Sequence, residues 1–176
     1  VPFGEYLPFG DFLRQFGIPQ LAEGSQGWAA GAERRLFHLP GSPAILPLIC
    51  YEIVFPGSLG ASVDEAGFIL VVTNDAWFDG SMGLAQHFHH ARVRAVEEGK
   101  SVVRAANSGI SAIVDPMGRI DAMMAEGMVG AIKGTPAQPL SPTFFAQYRH
   151  WPLVGMLILG VLLSVPGRRR RLRRLD

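Results

Sequence analysis

A series of short apolar runs, whose spacing changes along the chain, constrains the fold more than any other feature of the sequence. Residues 46–50 and 68–73 read as buried strands, the second a β-branched run, with a helix expected between them over residues 57–65. Residues 82–98 place Leu84, Phe88, Ala91 and Ala95 at steps of three and four, the period of an amphipathic helix, and Gly99 stands where such a helix stops. Two short strands follow, residues 101–105 and 110–114, joined through Asn107-Ser108-Gly109. Asp115-Pro116-Met117-Gly118 has the chemistry of a turn and leads into residues 119–123 and a last strand near residues 128–133. Strands that first alternate with helices and then pair as hairpins predict a layered α/β sandwich. Residues 1–43 are rich in Gly, Pro and aromatics without a sustained period, which reads as ordered loop with a short helix around residues 9–16.

A chain of 176 residues with 48% hydrophobic content can bury one full core but not two ordinary domains. It opens on Val1, with no initiator Met and no signal-like segment, and is expected to be the C-terminal piece of a longer protein. A single cysteine forbids an intrachain disulfide. The net charge of +1 hides an asymmetry, because six of the sixteen basic residues lie after Gly167. Through Gly167 the chain carries ten Lys and Arg against fourteen Asp and Glu, a net of −4, so no basic face for nucleic acid is expected.

Residues 135–150 form a Pro-containing linker, and residues 151–165 are uncharged and mostly aliphatic before Pro166-Gly167 and the arginine run. Fifteen helical residues reach about 22 Å, short of a hydrocarbon core of about 30 Å, so length alone does not establish a span. Trp151 at one end, the lack of a polar face, and arginines able to snorkel at the other favour a membrane. The expected division is therefore residues 1–134 as part of a catalytic domain, 135–150 as linker, 151–167 as a transmembrane helix and 168–176 as a basic tail. The positive-inside bias puts that tail in the cytoplasm and the domain across the membrane.

Cys50 stands where the apolar run of residues 45–49 ends and Tyr51 and Glu52 follow. A thiol at the rim of a sheet, next to a carboxylate, is a recurrent way to hold a nucleophile, although a lone buried cysteine also serves as a small hydrophobe. Asn74, Trp77 and Phe78 follow the end of the next strand, where open α/β sheets bind ligands, and are expected to wall a pocket. His87, His89 and His90 have no second cluster to complete a ligand set, so no metal is expected and they are read as capping a helix surface. Arg92, Arg94 and Arg104 could meet phosphate, but pairing with Glu97, Glu98 or Asp75 is the simpler reading. Gly109 and Gly118 read as turn glycines.

Six phrases in order carry a resemblance: Val1-Pro2-Phe3-Gly4-Glu5-Tyr6-Leu7-Pro8, Ile49-Cys50-Tyr51-Glu52, Asn74-Asp75-Ala76-Trp77-Phe78, Gln86-His87 with Ala91-Arg92-Val93-Arg94-Ala95, Arg104-Ala105-Ala106-Asn107-Ser108-Gly109, and Asp115-Pro116-Met117-Gly118. Together they closely resemble the C-terminal part of the apolipoprotein N-acyltransferases, a membrane-embedded family of the nitrilase (carbon–nitrogen hydrolase) superfamily. The resemblance implies the C-terminal part of an αββα sandwich followed by one transmembrane helix, on the periplasmic side of a bacterial inner membrane. It implies acyl transfer from a phospholipid through a cysteine thioester to the N-terminal amine of a diacylglyceryl-cysteine apolipoprotein, without a cofactor. On this match Cys50 is the nucleophile and Glu5 an additional catalytic acid, with Tyr51 and Glu52 lining the substrate site together with Asn74, Trp77 and Phe78.

The family's general-base Glu and catalytic Lys lie upstream of the phrase at which this sequence starts, and neither Lys100 nor Lys133 fits the missing lysine. A free thiol needs a base or cation to attack an ester, and the tetrahedral intermediate needs donors for its oxyanion. The Tyr51 N–H and the absent lysine would form that pair. Carboxylates oppose a neighbouring anion, so Glu5 and Glu52 are read as orienting a lysine or a substrate amine. The fragment alone is expected to be inactive. Two other functions compete: a nitrilase-family amidase releasing its acyl group to water, which the apolar segment argues against, and a silent membrane-anchored module, which the start at Val1 argues against.

Overall fold

The structure is a computed structural model that describes residues 34–60 and 62–172, with the side chains of the last helix described as far as Ser164. Five strands, β1 (Ile45–Ile49), β2 (Phe68–Asn74), β3 (Ser101–Asn107), β4 (Ser111–Val114) and β5 (Ile120–Met124), form one mixed sheet in chain order. β1, β2 and β3 run parallel, whereas β4 and β5 return antiparallel. Pro47 is tolerated in β1 because β2 is the one described strand beside it, and on the other side β1 is met, among the described residues, only by the bridge from Ile45 to Phe37.

Helix α1 (Ser62–Glu65) and helix α2 (Gly83–Glu98) lie in the first two crossovers. Ser81 Oγ accepts the Gly83 N–H at 3.1 Å to open α2, and Gly99 ends it in the left-handed conformation at φ +64, donating to Ala95 O. α2 contributes Phe88, Ala91 and Ala95 to the core. Register places Leu46, Ile69, Val102 and Val114 side by side, and in the next row Leu48, Val71, Arg104 and Ala112. Each of these eight side chains is at most 1% exposed. Burial of such aliphatic groups contributes about 1.5–3 kcal/mol apiece, so this face holds the domain together.

The layered α/β reading holds, but among the described residues there is one sheet rather than the two of an αββα sandwich. The opposite face is exposed toward the C-terminal ends of β1 and β2, where Ile49 and Val72 are exposed by 53% and 42%, while Ile45 and Ile113 on the same face are buried. The strand expected near residues 128–133 is absent, that stretch having no regular secondary structure, and the helix expected over 57–65 is reduced to the single turn of α1. Gly57 and Gly60, both at positive φ, break the earlier part. The helix expected around residues 9–16 lies outside the described residues.

The stretch read as linker contains helix α3 (Phe144–Tyr148) and is fastened to the end of α2. Leu140 N–H donates to Gly99 O at 2.8 Å, and Thr143 Oγ1 donates to Glu97 O. Helix α4 (Trp151–Leu172) does not stop at Pro166-Gly167 but continues into the arginine run. Leu153, Met156, Leu157, Ile158, Leu159, Val161, Leu162 and Leu163 on it are all more than half exposed. No helix among the described residues is long and apolar enough to cross a membrane.

Candidate active site

The C-terminal ends of the three parallel strands bring the chemistry to one rim. Cys50 follows the end of β1, Asp75 follows Asn74 at the end of β2, and Asn107 ends β3, with Asp75 N–H donating to Asn107 O at 3.0 Å. Cys50 opens a 3₁₀ turn (Cys50–Val54) with its own φ at +50, in the left-handed region that a side chain occupies at a cost of roughly 1–3 kcal/mol. A strand that breaks this sharply into a turn exposes the side chain at the break, the geometry of a nucleophile elbow. The thiol is free and partly accessible.

Two side chains hold the break. Glu52 Oε2 accepts the Ile49 N–H at 2.7 Å, and its Oε1 lies 3.4 Å from Arg34 Nη2. The carboxylate expected to orient a lysine or a substrate amine is thus turned back onto the strand that carries the thiol. On the other side, His87 Nε2 of α2 approaches the carbonyl oxygen of Cys50 at 3.3 Å.

His87 belongs to a buried polar network that sequence reasoning missed. Its Nδ1 lies 2.9 Å from Asp75 Oδ1, which also accepts the Thr73 hydroxyl at 2.9 Å. Arg104 Nη2 donates to Asp75 Oδ2 at 2.6 Å and Nη1 to Ile110 O at 2.6 Å, while Arg104 Nε has no hydrogen-bond partner. Asp75 is fully buried, and His87 and Arg104 are 2% and 1% exposed. Burial pushes the Asp75 carboxyl up, but its contacts with His87 and Arg104, the Arg104 charge and the Thr73 hydroxyl outweigh it and hold its pKa at about 2. Gly109 is required here by space, not by its backbone angle: a Cβ would stand 2.8 Å from the Asp75 carboxyl carbon. Gly118, in contrast, has the φ of +77 expected of a turn glycine.

The other expected site residues are distributed around this rim. Tyr51 packs edge-on to Phe55 and lies with its ring 6.2 Å from that of His87, and the Phe78 ring lies 5.6 Å from His87 on another side. Asn74 Oδ1 accepts the Ala76 N–H at 3.2 Å and faces Asn107. Trp77 stands 86% exposed. Glu5 lies outside the described residues. Lys100 is remote in role: its ammonium donates to Ala66 O at 2.6 Å and Asp64 O at 3.2 Å, and burial lowers its pKa.

Of the arginines, Arg94 pairs with Glu97 and Arg104 with Asp75, as the simpler reading expects, while Arg92 donates to Gly118 O at 2.9 Å. The histidine reading is corrected: His87 is not a surface cap but a buried partner of Asp75. The signal was present in the helix period, since Leu84, His87, Ala91, Arg94 and Glu98 share one buried stripe of α2, and in the lone Arg104 on the inward face of β3.

Residues 2–132 match the carbon–nitrogen hydrolase family. A protein of Bradyrhizobium diazoefficiens named apolipoprotein N-acyltransferase is 42% identical over 168 residues, covering 96% of this chain and 31% of its own length. One of the same name from Rhizobium leguminosarum bv. trifolii is 46% identical over 170 residues, covering 95% of this chain and 32% of its own length. This chain therefore spans about a third of the length of these curated relatives. Among solved structures, an amidase of Nesterenkonia sp. aligns with 73% of this chain and 49% of its own at 21% identity and a TM-score of 0.49.

Proposed function

Because this chain belongs to the carbon–nitrogen hydrolase family, we propose that it is the C-terminal part of an N-acyltransferase that moves a fatty acyl group from a phospholipid, through a thioester on Cys50, to the N-terminal amine of a diacylglyceryl-cysteine apolipoprotein. The observation that carries this reading is the placement of Cys50, the one thiol of the chain, at a left-handed break where the ends of β1, β2 and β3 converge. The names of the relatives, which match 95% or more of the chain, support the acceptor and the reaction class.

In the proposed first step the Cys50 sulfur attacks the ester carbonyl of the phospholipid, the carbon–sulfur bond forms, and the lysophospholipid leaves as an alcohol. In the second, the acceptor amine attacks the thioester, and the thiol is regenerated as the amide forms. The Tyr51 N–H would serve the oxyanion. The base Glu and the Lys of the family's triad would come from the part of the relatives' length that this chain does not cover, and Glu5 would add a carboxylate. Trp77, apolar and exposed after the end of β2, and Phe78, packed on His87, suit an acyl chain. Glu52 acts by shaping the turn.

We place α4 in the membrane, with its arginine end in the cytoplasm and the sheet domain on the periplasmic side of the inner membrane. Aliphatic side chains exposed around the helix support this, since water would leave them uncovered. Intact-mass analysis of the full-length enzyme after incubation with phospholipid, with hydroxylamine treatment to cleave a thioester, tests the reading. An acyl adduct that disappears in Cys50→Ala is expected; transfer that survives Cys50→Ala refutes the nucleophile.

A further inference from the structure

We propose that His87 is a positioning residue for the nucleophile turn: seated on the buried Asp75–Arg104 pair, it anchors the Cys50 carbonyl and thereby fixes the direction of both the thiol and the Tyr51 N–H. The inference rests on the reading of Cys50 as nucleophile.

Three observations carry it. Cys50 adopts a left-handed backbone conformation that only its surroundings can enforce, and its carbonyl faces His87 Nε2 at 3.3 Å. The peptide group is planar, with its C=O and the following N–H pointing in opposite directions, so an anchored Cys50 C=O directs the Tyr51 N–H away from the buried network. Donation to the Cys50 carbonyl places the ring proton on Nε2, and Arg104 Nη2, 3.0 Å from Nδ1, is the donor that faces the other ring nitrogen; Arg104 is in turn held by Asp75, which also accepts the Thr73 hydroxyl, and Gly109 closes over Asp75 without room for a Cβ. Phe78 and Tyr51 hold the ring from two sides, at 5.6 and 6.2 Å. A polar network in which Asp75, His87 and Arg104 are all buried is costly to keep, and it reaches the nucleophile turn at the Cys50 carbonyl oxygen.

The two ring nitrogens separate the two jobs. In bond count from Cβ, the amide nitrogen of Gln matches Nε2 and that of Asn matches Nδ1. His87→Gln can therefore keep the contact with Cys50 O, whereas His87→Asn can keep the contact with Asp75 and must lose Cys50. Both variants are made in the full-length enzyme in detergent, with folded fraction and melting temperature measured. The rate constants for thioester formation from phospholipid and for Cys50 alkylation by iodoacetamide are then determined.

Misplacement of a reacting group by about 1 Å costs on the order of a hundredfold. Per folded molecule, His87→Gln is expected to acylate at least about tenfold faster than His87→Asn, with a smaller difference of the same sign in alkylation and with KM for phospholipid unchanged. Equal losses in the two variants, or losses that follow melting temperature, overturn the proposal. If wild-type enzyme forms no thioester, the nucleophile reading fails by itself, and the alkylation rates still decide whether His87 positions Cys50.

Discussion

Arg149 Nη1 donates to both carboxylate oxygens of Glu98, at 2.6 and 2.8 Å, across 51 residues of sequence. Glu98 is the last residue of α2 and is 3% exposed, whereas Arg149 stands two residues before α4. Beside it His150 Nε2 lies 3.2 Å from Pro56 O, just past the turn that holds Cys50, and Gly57 leaves the room the imidazole needs. The helix assigned to the membrane is thus fastened to the body of the sheet domain. Removing Arg149 takes both hydrogen bonds from a buried carboxylate and leaves it only the more distant charges of Arg94 and Lys100; breaking a buried pair typically costs about 3–5 kcal/mol, an upper figure here. Arg149→Ala should lower the free energy of unfolding by up to that amount, with Arg149→Lys intermediate; chemical denaturation of the two variants in detergent checks the order.

Gly109→Ala should damage stability and activity together. The added Cβ falls against the Asp75 carboxylate, and either Asp75 or the loop after β3 must move. Overpacking of this kind costs about 1–3 kcal/mol. Gly60→Ala is the control, since a Cβ there meets nothing within 4 Å and carries only the backbone cost of its φ of +68. Thermal melts and acylation rates of the pair distinguish a steric effect from a general loss of glycine.

The depressed pKa of Asp75 makes a pH prediction. A carboxyl at about 2 in the folded state against an ordinary 3.8 binds its proton less readily when folded, so its stabilisation is complete above about pH 4 and is lost as pH falls toward 2. The difference corresponds to about 2 kcal/mol. Denaturant midpoints measured between pH 5 and 2 should fall more steeply in wild type than in Asp75→Asn, which lacks the titrating group.

Orientation of α4 is open to a reporter. A fusion after Asp176 that is active only in the cytoplasm should be active, and alkaline carbonate should leave the protein in the membrane fraction. Activity confined to a periplasmic reporter reverses the topology.

The chain of 176 residues expressed alone should transfer no acyl group from labelled phospholipid to a diacylated lipopeptide above about a hundredth of the full-length rate, because members of a catalytic unit act non-additively. Faster turnover would mean that residues 1–176 supply base and cation themselves, and the triad carried by the resemblance would have to be given up.

Local pattern was sufficient for much of this protein. The β-branched run of β2, the three- and four-residue steps of α2, Gly99 as its stop and the Asp115–Gly118 turn all depend on interactions within a few residues, which is the range over which periodicity and turn chemistry act. The same is true of Cys50 as a residue at a strand end. What only the tertiary structure decided is what lies beneath it. Asp75, His87 and Arg104 come from a loop, a helix and a strand, and nothing local to any one of them specifies the other two; their partnership follows from parallel register, which sets Arg104 level with Val71 and brings Asp75 to Asn107. Glu52 shows the converse. Its place beside Cys50 was legible in the sequence, but the bond of its carboxylate back to the Ile49 N–H, which braces the turn, follows from the backbone conformation at Cys50.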